Sequence, residues 1–198
     1  MDYEEAVAEF LSQPENFRLA LEVAQRLEDA KRRVEIGFWH TCYAKAQEHL
    51  AGSEWATTWT VAIDPDENLP SNECGVRLLP NDRNGEAPVL VYDLTNWSSG
   101  SYSIYVRVPL STRGDTTPYF PLGIDDFRRK WRQEGYGYTK SSVIWREIKR
   151  YEGTNSFLLD TVDRCDELAS QAVDTLWDVF EETVADLVTL NAALRSGQ

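Results

Sequence analysis

The sequence predicts an α+β fold, an antiparallel β-meander of about four strands packed against long N-terminal and C-terminal helices. Three observations carry this. Apolar residues recur every three or four positions near both ends of the chain, they alternate with period two in the middle third, and the alternating runs are joined by connections too short for a parallel crossover of about a dozen residues or more. Residues 1–52 are expected to be helical, 53–123 mainly β, and 124–198 mixed and then helical, within a single domain over 1–198.

A short helix is expected over residues 2–11, followed by a long one. Ser12 with Glu15 reads as a capping box, Pro14 sits in a first turn where its missing N–H is harmless, and Gly52 stands where a helix would stop. Between them Phe17, Leu21, Ala24, Leu27, Val34, Phe38, Cys42 and Ala46 trace one stripe, with a bend expected at Gly37. In "EWATTWTVAI" the residues Trp55, Trp59, Val61 and Ile63 share one face of a strand; "ECGVRLL", "PVLVYDL" and "SYSIYVRVPL" read as three more. Turn residues separate them at 81–85 and 96–100. The stretch "STRGDTTPYFPLG" reads as a loop into a short helix, "IDDFRRKWRQE", with acids first and bases later, as the helix dipole favours. Residues 134–151 read as an extended piece or short strand, and a long helix follows from Leu159 with Leu168, Ala172, Leu176, Phe180, Val184, Leu187 and Leu194 at helical spacing. Neither long helix can bury its stripe alone, so both are expected to pack on each other and on one face of the sheet.

Composition narrows the function classes. Hydrophobic residues at 42% and charged residues at 27% are those of a globular chain. A net charge of −13 argues against general attraction to nucleic acid and leaves room for a local basic patch. No stretch approaches the about 20 apolar residues of a membrane span, no basic n-region opens the chain, and the three cysteines, Cys42, Cys74 and Cys165, are odd in number and widely spaced; a cytoplasmic protein without a disulfide framework is expected. Seven Trp and nine Tyr suit a protein with an interface.

Sites are sparse. The two histidines, His40 and His49, have no Cys or His partner at ligand spacing, and no Walker, dinucleotide-binding or nucleophile-elbow pattern occurs; neither a metal nor a cofactor is expected. Pro65-Asp66 and Glu147-Ile148-Lys149 spell a metal-dependent nuclease signature, but three expected strands separate the halves, and Asp64 to Pro70 reads equally as an acidic loop. The richest stretch is basic and aromatic: Arg128, Arg129, Lys130, Arg132, Lys140, Arg146, Lys149 and Arg150 interleave with Trp131, Tyr136, Tyr138 and Trp145. Such cations hold phosphates and such rings stack on bases, at about 1–3 kcal/mol per base. The candidate nucleic-acid-binding set is therefore Arg128, Arg129, Arg132, Tyr136, Tyr138, Lys140, Trp145, Arg146, Lys149 and Arg150. The alternative is neutralisation by the acidic final helix, which carries Asp160, Asp163, Asp166, Glu167, Asp174, Asp178, Glu181, Glu182 and Asp186, or by another subunit. That helix also admits a reading as an inhibitor that displays carboxylates in place of phosphates, or as a solvated face.

The order of Phe38-Trp39 in a helix, a small antiparallel sheet, a Trp/Tyr-rich segment with Trp131 and Trp145, and a closing helix after Leu159 resembles the C-terminal half of bacterial PD-(D/E)xK nuclease family proteins, over residues 12–195. The nuclease core that precedes this half in those chains has no counterpart here, so the resemblance carries over no catalytic residue. It implies an accessory or interaction role in a nuclease or defence setting. The expectation is thus a non-enzymatic domain acting through protein–protein contacts and self-association through an aromatic-rich face. The alternatives are a nucleic-acid-binding module using residues 128–151, or a metal-dependent nuclease built on Asp66, Glu147 and Lys149.

Overall fold

The computed structural model describes residues 2–64, 75–81, 90–98, 101–109, 112–113, 117–118, 123–139 and 142–196. Helix α1 spans Tyr3–Ser12 and α2 spans Pro14–Ala51. Strands β1 (Trp59–Asp64), β2 (Gly75–Pro80), β3 (Tyr92–Ser98) and β4 (Tyr102–Pro109) follow, then the two-residue strands β5 (Thr112–Arg113) and β6 (Thr117–Pro118). Helix α3 (Ile124–Gln133), strand β7 (Ser142–Tyr151) and helix α4 (Thr154–Ser196) complete the order. The main sheet is antiparallel throughout, in the order β1-β2-β3-β4-β7, and β5 and β6 pair with each other. This is the expected α+β architecture with one more strand. No helix among the described residues is long and apolar enough to cross a membrane.

The register puts Val61, Leu78 and Tyr92 in one row across the sheet, with Ile63, Val76, Leu94 and Val106 in the next. Period-two alternation sends these rows to the side the helices cover. There Tyr92 and Trp59 lie 5.2 and 5.1 Å from Phe180 of α4, and the Tyr102 ring stacks on Phe157 at 4.1 Å. Helices α2 and α4 run parallel: Phe38 meets Phe157 at 5.2 Å, Lys45 pairs with Asp166 at 3.0 Å, and His49 pairs with Asp174 at 3.2 Å. Because α4 begins at Thr154, the level of Phe38 on α2 is about where the cover ends. Val34 and the buried Phe38, Trp39, Cys42, Ala46 and Leu50 join the core, whereas Phe17, Leu21 and Leu27, in the same stripe, stay exposed.

Several boundaries differ from the sequence expectation. Ser12 ends α1, its hydroxyl donating to the Glu9 carbonyl at 2.8 Å, so no capping box forms; Gln13 is the N-cap of α2 and makes no side-chain cap bond. Helix α2 is helical through Gly37, and the non-helical residue lies in α4 instead, at Arg164 (φ −142°, ψ 32°). Strand β1 begins at Trp59 rather than near Trp55, since residues 53–58 form a turn in which the Thr58 and Trp59 amides donate to the Trp55 carbonyl. Asn96, Trp97 and Ser98 belong to β3, so the turn to β4 is shorter than expected. The 81–85 turn lies outside the described residues but for Asn81.

A carboxyl is buried where α2 leaves the body. Glu35 accepts from the Tyr102 hydroxyl at 2.8 Å and the Asn96 amide at 3.2 Å, one helical turn before Trp39. Burial raises its pKa above the ordinary carboxyl value, against the lowering effect of the Tyr102 bond. A raised carboxyl pKa means that the folded state holds the proton better than the unfolded chain. Stability from Glu35 is therefore present at low pH and lost as pH rises through the folded pKa. Replacing Glu35 with Gln, which keeps an acceptor for both donors, should raise Tm at pH 7, and the gain should shrink toward zero near about pH 4, where the carboxyl is protonated. A melting series across pH checks it; a Gln variant less stable at pH 7 contradicts it.

Candidate interaction surfaces

Two surfaces stand out, one expected from the sequence and one not. The expected one is the basic, aromatic strip, which the fold divides between α3, the turn after it, and the edge strand β7. Trp131 and Tyr136 are buried and 5.6 Å apart edge to face, and Trp145 lies so close over Gly137 that any Cβ there would overlap the indole. Arg146 and Arg150 stay exposed on the edge strand, where charge discourages further strand pairing.

Most of the strip's hydrogen-bonding capacity is spent inside the molecule. Lys130 meets Asp186 of α4 at 2.6 Å, and the Trp131 indole N–H donates to the same carboxylate at 3.2 Å. The Tyr136 hydroxyl donates to Glu182 at 2.6 Å; burial pushes its pKa up and Glu182 adds to the effect. Arg128 donates to the carbonyls of Thr139 and Ser142, at 3.2 and 3.3 Å, and so ties the middle of α3 to the start of β7. Arg129 pairs with Asp126, and Arg150 with Glu147. The acidic α4 thus supplies the internal partner that the sequence raised as an alternative to nucleic acid. What remains outward is Tyr138, 47% exposed, with the Arg128 and Arg132 guanidiniums 5.4 and 5.8 Å from its ring centre, together with the exposed Arg132 and Arg146. Lys140 lies outside the described residues.

The nuclease letters do not meet among the described residues: Glu147 binds Arg150, Lys149 binds Asp160 at 2.7 Å, and Asp66 lies outside them. No group of three or more His, Cys, Asp or Glu among the described residues is placed to hold a metal ion. Asp160 is instead the hub of a network, accepting from Lys149, from the Tyr151 hydroxyl at 3.1 Å and from Arg164 at 3.2 Å, next to the kink of α4. On the sheet face away from α4, Asp93 is buried between Arg77 at 2.8 Å and Arg107 at 2.9 Å, a cross-strand pairing that sequence spacing does not reveal. At the far end of the sheet a cavity of about 430 Å³ is walled by Trp55, Trp59, Pro80 and Val188; its amides are turned to backbone, Asn81 to the Thr57 carbonyl and Asn191 to Leu90.

The unexpected surface is the helical arm formed by α1 and the first half of α2. No residue of α1 is buried; Tyr3, Val7, Phe10 and Leu11 are all exposed, Tyr3 by 81%. On α2, Phe17, Leu19, Leu21, Val23 and Leu27 are 48 to 60% exposed. The two helices meet at their junction, where the Asn16 amide donates to the Phe10 carbonyl at 3.0 Å. Single apolar side chains on a surface are ordinary, but nine on one short arm are what binding surfaces look like. Compared with protein-family models, with curated proteins and with solved structures, the chain matches none.

The Asp160 hub gives a pH dependence opposite to that of Glu35. The hydrogen bond from Lys149 holds the Asp160 carboxyl below its ordinary value, against the effect of burial, so its stability contribution is present above the unfolded carboxyl pKa of about 3.9 and is lost as pH falls through the lower folded value. Asp160→Asn should cost about 1–2 kcal/mol at pH 7, kept modest by partial solvent access, and the difference should close in acid. Urea denaturation at pH 7 and pH 3 measures both; an equal deficit at the two pH values would contradict the assignment.

Proposed function

We propose that this chain is a non-enzymatic interaction domain that acts through protein–protein contacts made by its helical arm. The carrying observation is the nine large apolar side chains between Tyr3 and Leu27 that stand exposed on the arm. Water-exposed helices of this length gain their stability from packing an apolar face, and here the body of the molecule supplies nothing to pack against. The accessory role implied by the nuclease-family resemblance agrees with this reading, and neither depends on a catalytic residue.

A second reading is supported by Tyr138. An exposed ring beside the exposed Arg132, with the exposed Arg146 in the same strip, is the arrangement that stacks on a base and neutralises a phosphate. Under this reading Arg132→Glu with Arg146→Glu abolishes the salt-sensitive binding of a labelled oligonucleotide without unfolding the protein; unchanged affinity dismisses it.

For the arm, Phe17→Glu, Leu21→Glu and Leu27→Glu combined should markedly weaken binding of the apolar dye anilinonaphthalene sulfonate in dilute solution. The same variant should change the stability of the body by no more than about 0.5 kcal/mol per site, as at surface positions. Losses of about 2–5 kcal/mol per site, the scale of core positions, would mean that the arm packs on its own body and would sink the proposal.

A further inference from the structure

The arm's own pattern specifies its partner further than the bare fact of exposure. At about 100° per residue, Leu21, Phe17, Leu27, Val23 and Leu19 spread over an arc of roughly 200° around α2, interrupted by the Lys31–Glu28 ion pair. A helix lying on one neighbour needs a stripe of only about half that width. This arc suits a helix with neighbours on two sides, and α1 of the same chain does not cover it, since none of α1 is buried. Ala20 and Ala24 within the arc would let another helix approach closely. The partner therefore has to bring more than one helix.

Charge then selects among partners. Residues 2–15 carry Asp2, Glu4, Glu5, Glu9 and Glu15 and no base, while residues 26–33 carry Arg26, Lys31, Arg32 and Arg33 against Glu28 and Asp29. Set beside a parallel copy, the arm would place acid on acid. Set beside an antiparallel copy, each acidic end lies along the other's basic segment, an isologous arrangement about a two-fold axis.

We propose that two copies of this chain pair through their arms, antiparallel about a two-fold axis, closing α1 and the first half of α2 from each copy into one four-helix bundle. The proposal rests on reading the arm as a protein-docking surface. It names a second copy as the occupant, because this chain holds both the helices and the complementary charge that the arm requires.

Sedimentation equilibrium of the full chain over a range of concentrations tests it, with two charge variants. Wild type should show a monomer–dimer equilibrium. Glu4→Lys, Glu5→Lys and Glu9→Lys together should weaken it about tenfold, because the reversed end now faces the partner's basic segment. Mixing that variant with Arg26→Glu, Arg33→Glu should restore a heterodimer. A dimer whose strength is unaffected by the acidic-end reversal overturns the antiparallel pairing. A wild type that stays monomeric at every concentration overturns self-association, and dye binding then separates the two claims. A monomer whose arm binds anilinonaphthalene sulfonate leaves the arm as a docking surface for a different chain, whereas a monomer that binds none overturns the docking reading as well.

Discussion

The parallel packing of α2 on α4 is the constraint from which the rest of the molecule follows. Phe38 against Phe157, Lys45 with Asp166 and His49 with Asp174 fix the two helices in one relative position, and that position leaves α4 beginning near the middle of α2. Everything C-terminal of Val34 on α2 has a sheet and a helix to pack on; everything N-terminal of it has neither. Helix α4 shows the reverse offset, running past the end of α2 to hold Tyr92 through Thr183 at 2.7 Å and the Leu90 backbone through Asn191. The body is built around the overlap of two long helices, and the arm is what that overlap omits.

The same packing explains how a chain of net charge −13 carries a basic strip that reads so differently from the rest. Helix α4 turns Asp160, Glu182 and Asp186 toward β7, Tyr136 and α3, so its acids serve as internal counter-ions and hydrogen-bond acceptors. Asp93 performs the corresponding task for Arg77 and Arg107 on the other face of the sheet. Burying Asp93 and half-burying Asp160 costs solvation, and the two cations at each, Arg77 with Arg107 and Lys149 with Arg164, offset it. Among the described residues Glu35 has only the neutral donors Tyr102 and Asn96, so burial prevails and raises its pKa, whereas the hydrogen bond from Lys149 lowers that of Asp160.

Much of the fold was legible in periodicity: both long helices, the short helix from Ile124, and an antiparallel meander followed from spacing and turn residues. Strand β7 was harder, because an edge strand shows its outward side to water and Arg146, Lys149 and Arg150 mask the alternation of Val143 and Trp145 with their neighbours. The α2 N-cap lies one residue past the sequence expectation because Ser12 satisfies its hydroxyl by bonding back to Glu9, an option that sequence does not distinguish from capping forward. The candidate strip was found as a stretch of residues, but its internal partners come from a helix distant in sequence, and no local pattern announces them. The arm's stripe has the helical spacing of a core-facing one; what marks its independence is the breadth added by Leu19 and Val23, which a helix lying on one surface does not need.

If the apolar arc of the arm is covered by another copy, the backbone of the arm should register it directly. Hydrogen exchange across residues 3–34 at a series of protein concentrations is the measurement that reads this most closely, with the amides of α4 as the internal reference. Protection of the arm should grow with concentration and be lost on dilution, while α4 stays protected throughout. Exchange in the arm that is equally fast, or equally slow, at every concentration would contradict it.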